Sequence, residues 1–334
     1  MAPLNLSLLP WKLLGLLSLS FCLWICSGHD PSPPSLSALH LQGYGVIDTT
    51  TMQEVAAGKS VQRIREEKGV LSADYGFVNI NNDLLQINIA LPAKELARYR
   101  QEYGYTQADL DAIMDWQKKS LAEAFTQAVQ NGWDQEKLNA VSRGIQEDFR
   151  KKQREFFSAR GFCLQKGNIL IPDIPGIVQR NVKPLQDVAR QFSQVAATQG
   201  YDAQETIAAA LTMVQTALRY QNLPANQGGR ITGGMTPPLV TMLEGQGDCD
   251  AKTALLAAIL HNWSQIRLVG VGIPNHYLMG VLQNPGKGQA FVEYEGLRYI
   301  LLEPAGPGWL PPGTIAESTM ARLAAGEDLH LEAL

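Results

Sequence analysis

The sequence predicts an α+β fold in which a buried helix packs on an antiparallel sheet, preceded by a mixed domain with a long helical hairpin. Two long stretches of the N-terminal half carry apolar residues at helical spacing. The run from Cys249 to Leu260 has helical spacing with few polar positions, which is typical of a buried helix. Four short runs of strand-forming residues, separated by turn residues, follow that helix.

Length, composition and charge limit the class of protein. A chain of 334 residues is long enough for about two domains. Hydrophobic residues make up 45% and charged residues 18%, so the chain as a whole is globular and not disordered. The net charge is −4 and there is no long basic run, which argues against a nucleic-acid partner.

The first 28 residues predict an export signal. Residues 13–26 are an unbroken apolar stretch, shorter than the roughly 20 residues that span a membrane. The small residues Ser27 and Gly28 follow, so we expect cleavage after Gly28 and a periplasmic or secreted protein. Contact with a membrane is expected only through this segment, if it stays uncleaved.

The four cysteines do not form a disulfide scaffold. Cys22 and Cys26 lie in the predicted signal, where lipid attachment is an alternative to cleavage. Cys163 and Cys249 remain for the mature chain, which is too few for a disulfide-dense fold. In an oxidising compartment they either form one bridge, stay as inert buried thiols, or include a thiol with a use.

Residues 29–42 form a Pro/Ser linker, and a helical-hairpin α+β domain is predicted over 43–180. Its predicted elements run in chain order. They are a helix over 51–67, a β-hairpin over 77–89, a helix from the capping box of Thr106 and Asp109 to about Gln130, a second helix from near Asp134, and a hairpin over 162–171.

Residues 181–334 form the second predicted domain. We expect helices over 184–197 and 203–221, and a Gly-rich loop over 222–238 that suits a cleft wall. After the helix from Cys249 to Leu260 comes an antiparallel meander. Its four strands are predicted at 267–273, 277–282, 289–294 and 298–302.

Cys249 is the candidate nucleophile because it begins the buried helix, where free backbone N–H groups and the helix dipole favour a thiolate. A thiolate also needs a base, normally histidine. His261 lies 12 residues further along the same helix, about 18 Å away, and is excluded. His29 and His40 lie in the linker and His330 in the C-terminal tail. His276, which opens a strand, is therefore the predicted base.

A carboxylate should orient the imidazole of His276. Glu303 ends the last strand of the meander after an apolar approach, so it is the first candidate. Glu293 is the second candidate. A cysteine at a helix start, a histidine at a strand start and an acid at a strand end, in this order, predict a catalytic triad.

These segments resemble the transglutaminase-like cysteine peptidase superfamily. The resemblance rests on residues 247–260, on His276-Tyr-Leu-Met and on residues 299–304, and it covers about 204–312. It implies a papain-like core and amide hydrolysis or acyl transfer, with Cys249 as nucleophile, His276 as base and Glu303 as orienting acid. Glu303 replaces the usual Asp, and Tyr277 replaces the common Ala-Trp after the histidine.

Asp248 and Asp250 flank the nucleophile and would raise the pKa of its thiol. Asp248 is expected to cap the helix through its side chain. Alternatively, both acids bind Ca²⁺, as in the periplasmic adhesin-processing proteases that the resemblance includes. No cofactor is otherwise required, since neither zinc spacing nor a complete phosphate-binding motif occurs.

The sequence thus predicts an exported hydrolase that cleaves amide bonds in a protein or peptide of the cell envelope or surface. The backbone N–H of Cys249 is the expected oxyanion donor, and Gln221, Gln246 or the Gly-rich loop is expected to supply the second. Two alternatives stay open. One is a binding or scaffold protein that has lost the chemistry, and the other is a transamidase that cross-links proteins.

Overall fold

The computed structural model describes residues 45–48, 59–165, 169–306, 308–325 and 328–334. The predicted signal peptide, the predicted linker and the turn at 166–168 lie outside these residues. The described chain is a mixed α/β structure whose strands pair mainly antiparallel, with parallel pairs at β1–β2 and at two short strands described below. No helix within these ranges is both long and apolar enough to cross a membrane.

A four-stranded sheet forms the first layer. Its strands are β1 (Gly45–Asp48), β2 (Lys59–Glu67), β3 (Val70–Val78) and β4 (Leu84–Pro92), adjacent in that order. β1 runs parallel to β2, and the other neighbours are antiparallel. The β3–β4 hairpin confirms the hairpin predicted over 77–89.

The helix predicted over 51–67 is wrong where the structure describes it, because β2 occupies 59–67. Val61 and Ile64 stand three residues apart, which imitates a helical stripe. Ser60 and Gln62 are nevertheless buried, and their side chains donate hydrogen bonds to the carbonyls of Thr216 and Ala217. These inward polar residues conceal the alternation of a strand. Residues 51–58 lie outside the described residues.

Three helices follow: α1 (Ala93–Glu102), then α2 (Gln107–Gln130) after the two-residue strand β5 (Tyr105–Thr106), then α3 (Gln135–Ala159). The capping box at Thr106 and the start of α3 after Asp134 confirm the predicted pair. The helix α1 was not predicted, because Leu96 is its one buried residue and no apolar stripe marks it in the sequence.

α2 and α3 pack along each other as a long arm. Within α2 only Ala124 and Ala128 are buried, and within α3 only Phe157. The hairpin of β6 (Phe162–Leu164) and β7 (Leu170–Pro172), also predicted, returns the chain to the body.

The helices α4 (Ile174–Asn181), α5 (Gln186–Gln199) and α6 (Ala203–Thr216) come next. The capping box of Asp202 and Glu205 is confirmed, but α6 ends earlier than the predicted residue 221. The Gly-rich loop predicted over 222–238 contains two short strands, β9 (Asn226–Gln227) and β10 (Arg230–Ile231), in order after β8 (Arg219–Tyr220), which replaces the end of the predicted helix. Two further elements, α7 (Pro238–Glu244) and β11 (Gln246–Gly247), fill the segment between this loop and Cys249, for which no element was predicted.

The helix α8 (Cys249–Leu260) has the predicted bounds. It packs on a five-stranded antiparallel sheet, and the hydroxyl of Thr253 donates to the carbonyl of Tyr277 at 3.2 Å. The sheet has the order β14-β15-β13-β12-β16. Its strands are β12 (Leu268–Ile273), β13 (His276–Leu282), β14 (Phe291–Tyr294), β15 (Leu297–Leu302) and β16 (His330–Ala333).

Two features of this sheet differ from the prediction. β15 pairs with β13, so β14 lies at the edge and the four strands do not form a simple meander. His330, expected in a C-terminal tail, belongs to the edge strand β16, which pairs with β12. A helix, α9 (Glu317–Ala325), lies between β15 and β16 in the chain.

The parts before and after residue 180 share one hydrophobic core. The cluster includes the inner face of β3 and β4 together with the apolar residues of α6, α7 and α8. The hydroxyl of Tyr75 on β3 donates to the carbonyl of Met242 on α7. The division of the chain into two domains near residue 180 stays a prediction, but the core is continuous across it.

Candidate active site

Cys249 is the first residue of α8. Asp248 is extended and caps the helix, and its Oδ1 accepts from the backbone N–H of Ala251 at 2.9 Å. The capping expectation is thus confirmed. Helix N-termini present free N–H groups and the positive end of the dipole, which favour an anion at this position. Both Cys163 and Cys249 are free thiols, so the bridge considered between them is not formed.

The imidazole of His276 pairs with the carboxylate of Glu303. His276 opens β13 and Glu303 follows β15, and the pairing of these strands brings the two residues together. His276 Nε2 lies 3.0 Å from Glu303 Oε1, with side chains only 13% and 6% exposed. Because Nε2 faces the carboxylate, Nδ1 is the ring nitrogen left to exchange a proton with a nucleophile.

Glu293, the second candidate acid, does not reach His276. It lies on β14, its side chain is exposed, and it pairs with Arg298 at 3.0 Å. Between the two acids, the structure therefore places Glu303 at the imidazole.

Glu303 is fixed by its own partners. Its carboxylate accepts hydrogen bonds from the backbone N–H of Ala316 and the hydroxyl of Thr319, both at 2.7 Å. Its backbone carbonyl accepts from Gln215 Nε2 at 2.9 Å. Burial alone would raise the pKa of Glu303, but these hydrogen bonds and the interaction with His276 outweigh burial and lower it. Glu303 is thus held as a carboxylate.

The thiol of Cys249 lies against the start of β13. It receives a hydrogen bond from the backbone N–H of Tyr277, the residue that follows His276. The hydroxyl of Tyr220, on β8, also contacts it, and Sγ lies 3.3 Å from Asp250 Oδ1. The fold therefore brings the beginning of α8 and the His276–Glu303 pair to one edge of the sheet.

The electrostatic environment of the thiol is unfavourable to a free thiolate. Burial, then the charges of Asp250 and Asp248, raise the pKa of Cys249 well above its usual value. Burial and the charge of Asp250 raise the pKa of Asp248 to about 7, so this acidic pair keeps a proton near neutral pH. The helix N-terminus therefore does not by itself hold Cys249 as a thiolate, and the thiol donates its proton towards Asp250 Oδ1.

Asp248 and Asp250 do not by themselves make a Ca²⁺ site. Calcium takes six to eight oxygen ligands, whereas these two carboxylates already accept hydrogen bonds from Ala251 N–H and the Cys249 thiol. Nowhere in the described ranges do three or more His, Cys, Asp or Glu side chains group as a metal site. Ca²⁺ binding stays a prediction.

The predicted oxyanion residues lie at the β8–β11 pairing, where Gln246 is in β11 and Gln221 follows β8. The β8–β11 pairing places Gln221 beside Gly247, with its N–H donating to the Gly247 carbonyl at 3.1 Å. The side chain of Gln221 is exposed and that of Gln246 is half-buried. The sequence analysis missed Tyr220, which the same pairing brings to the thiol, because no motif marks it.

Two further residues near the site were missed. Burial, then the charges of Asp248 and Asp250, raise the pKa of Tyr103. Tyr103 lies before residue 180, so the N-terminal part of the chain contributes a residue to the surroundings of these two acids. Lys252 is fully buried in α8, one turn after Cys249. A lysine on a helix predicts an exposed side chain, so only the structure could find it.

Comparison with protein-family models, with curated proteins and with solved structures finds no match for this chain. Its function is therefore argued from the site itself.

Proposed function

We propose that this chain is an exported cysteine hydrolase with a papain-like, transglutaminase-like core, acting on amide bonds of a cell-envelope or surface protein. The buried pair of His276 and Glu303, beside a thiol at a helix N-terminus, carries the proposal. An imidazole oriented by a carboxylate is the arrangement that activates a thiol nucleophile.

In the proposed mechanism, Nδ1 of His276 takes the proton of the Cys249 thiol as sulfur attacks the amide carbonyl. The backbone N–H of Cys249 stabilises the oxyanion, with Gln221 or Gln246 as the proposed second donor. The imidazolium then gives its proton to the leaving amine, and a thioester remains on Cys249. Glu303 stabilises the imidazolium through Nε2.

The acceptor decides the reaction. Water, deprotonated by His276, releases the acid and completes proteolysis. A substrate amine in place of water would form a new amide and make the protein a transamidase. We favour water, because it is the acceptor available to any solvent-accessible thioester, and the peptide-library experiment below distinguishes it from an amine.

A second candidate function is a binding or scaffold protein that keeps the arrangement without the chemistry. The raised pKa of Cys249 favours it, since a protonated thiol is a poor nucleophile. The reactivity of this thiol separates the two functions.

The test is the rate of iodoacetamide labelling of Cys249, measured across pH by mass spectrometry, with Cys163 as the internal reference. Wild type is compared with His276→Ala, and each with and without Ca²⁺. His261→Ala is the matched control, because this histidine caps the far end of the same helix.

A hydrolase predicts that Cys249 labels much faster than Cys163 below pH 7, and that His276→Ala removes this advantage while His261→Ala keeps it. Labelling of Cys249 as an ordinary thiol with a pKa near 8.5 or above would contradict the hydrolase and support the binding protein. If labelling supports the hydrolase, incubation with a peptide library distinguishes cleavage from amine incorporation.

A further inference from the structure

Lys252 is a buried basic residue that the proposed mechanism does not use, and burial lowers its pKa to about 7. Its side chain is fully enclosed, three residues after Cys249 on α8. The described residues provide it with no carboxylate partner. Its Nζ donates instead to two backbone carbonyls, that of Leu218 at 3.0 Å and that of Ala305 at 2.7 Å.

The two carbonyls belong to the chain segments on either side of the nucleophile. Leu218 immediately precedes β8, which carries Tyr220 to the thiol. Ala305 lies two residues after Glu303, in the segment that leaves β15. Lys252 therefore joins three parts of the site: the helix with Cys249, the strand with Tyr220 and the segment with Glu303.

A second buried side chain holds the same segment. Gln215 of α6 donates to the carbonyls of Glu303 and Leu310 and accepts from the N–H of Leu310 at 3.1 Å. Gln215 thus ties this segment to α6, but only Lys252, of these two, ties it to the helix that carries the nucleophile.

We propose that Lys252 is a positioning residue that keeps the nucleophile helix, the Tyr220 strand and the Glu303 segment in register. This inference rests on the proposed function of the site. An amine buried without a charged partner is costly in a core, and a packed apolar side chain of similar volume is often as stable. A stability role alone therefore does not account for the lysine, whereas two directional hydrogen bonds across the site do.

The test compares Lys252→Met, which keeps the length and loses both hydrogen bonds, with wild type. Thr212→Val is the matched control, because Thr212 is equally buried on α6 and its hydroxyl bonds within its own helix. Two readouts are measured at pH 7: the iodoacetamide labelling rate of Cys249 relative to Cys163, and the low-field proton NMR resonance of the His276–Glu303 hydrogen bond. His276→Ala and Glu303→Gln assign that resonance.

We expect Lys252→Met to lower the relative labelling rate about tenfold and to shift or broaden the resonance, while Thr212→Val changes neither. If Lys252→Met does not fold, judged by circular dichroism, Lys252→Gln replaces it, since its shorter side chain cannot reach both carbonyls.

A folded Lys252 variant with the wild-type labelling rate and resonance would overturn the positioning role and leave the proposed function intact. Wild-type labelling that does not depend on His276 would instead overturn the proposed function, and this inference with it.

Discussion

Replacing Glu303 with glutamine tests the central contact of the site. The carboxylate accepts from Ala316 N–H, from Thr319 Oγ1 and from the imidazole of His276, and it is 5% exposed. Hydrogen bonds to a charged group contribute roughly 1.5–3 kcal/mol each, against about 1 kcal/mol for neutral pairs. In Glu303 one carboxylate oxygen accepts from Ala316 N–H, and the other accepts from Thr319 and lies against His276. Glutamine has one acceptor oxygen, which can keep the Ala316 contact as a weaker, neutral bond while its NH₂ faces Thr319 and His276. We expect Glu303→Gln to lower the free energy of unfolding at pH 7 by about 1–3 kcal/mol.

The loss should depend on pH in a defined direction. The partners of Glu303 lower its folded-state pKa, so its stabilising contribution is complete above the unfolded-state pKa, about 4.3, and disappears as the pH falls through the lower folded-state pKa. Urea unfolding at pH 7, 5 and 3 should show the difference between wild type and variant at pH 7 and 5 and a smaller difference at pH 3. An equal difference at all three pH values would refute the reasoning.

The same substitution should affect reactivity through the histidine tautomer. The side-chain amide NH₂ introduced by Glu303→Gln would donate to Nε2 of His276 and hold the ring proton on Nδ1, the nitrogen that must accept the thiol proton. The equivalent tautomer change in a serine protease triad costs about 10⁴ in kcat. We expect Glu303→Gln to remove the His276-dependent labelling of Cys249, and wild-type labelling in this variant would show that Glu303 does not orient the base.

Three further predictions concern stability and are measured by urea unfolding. Because the folded-state pKa of Asp248 is raised to about 7, the free energy of unfolding should fall as the pH rises from about 4 to 7. Asp248→Asn should keep the helix cap and abolish this fall. An unchanged pH profile would contradict the electrostatic assignment. Gly245→Ala should lower the free energy of unfolding by about 2 kcal/mol or more, because φ is +65° and a Cβ would lie 2.4 Å from Gln62 Oε1. Gly69→Ala, where φ is +76° and a Cβ meets open space, should lower it by about 1 kcal/mol. Equal losses would show that the Gln62 side chain moves away from the added Cβ. Tyr277→Phe should cost about 1 kcal/mol by removing the 2.7 Å hydrogen bond from its hydroxyl to Glu332, and an unchanged stability would mean that water replaces that bond at no cost.

The elements with a strong local pattern could be predicted from sequence. The bounds of α8, the capping boxes of α2 and α6 and the β3–β4 hairpin follow from apolar spacing and capping residues. The helix α1 and the strand β2 could not be predicted, because α1 has one buried residue and β2 turns Ser60 and Gln62 into the core.

For the site, the order of Cys249, His276 and Glu303 along the chain was enough to nominate them. Their catalytic roles stay predictions. The contact between His276 and Glu303 depends on the pairing of β13 with β15, so the choice of Glu303 over Glu293 could not be made from the sequence. Tyr220 reaches the thiol through a two-residue parallel bridge, and long-range pairings of this kind leave no periodic trace in a sequence.

The arm formed by α2 and α3 is a part of the chain whose length can change. Its inner seam is supplied by the two helices themselves, and few of its side chains enter the shared core. Adding or removing one turn from each helix would move its tip by about 5.4 Å without altering a residue that surrounds Cys249. A change in the length of the arm would therefore alter its reach and leave the surroundings of Cys249 intact, whereas a change in the length of β2 or β3 would disturb their hydrogen bonds to α6 and α7.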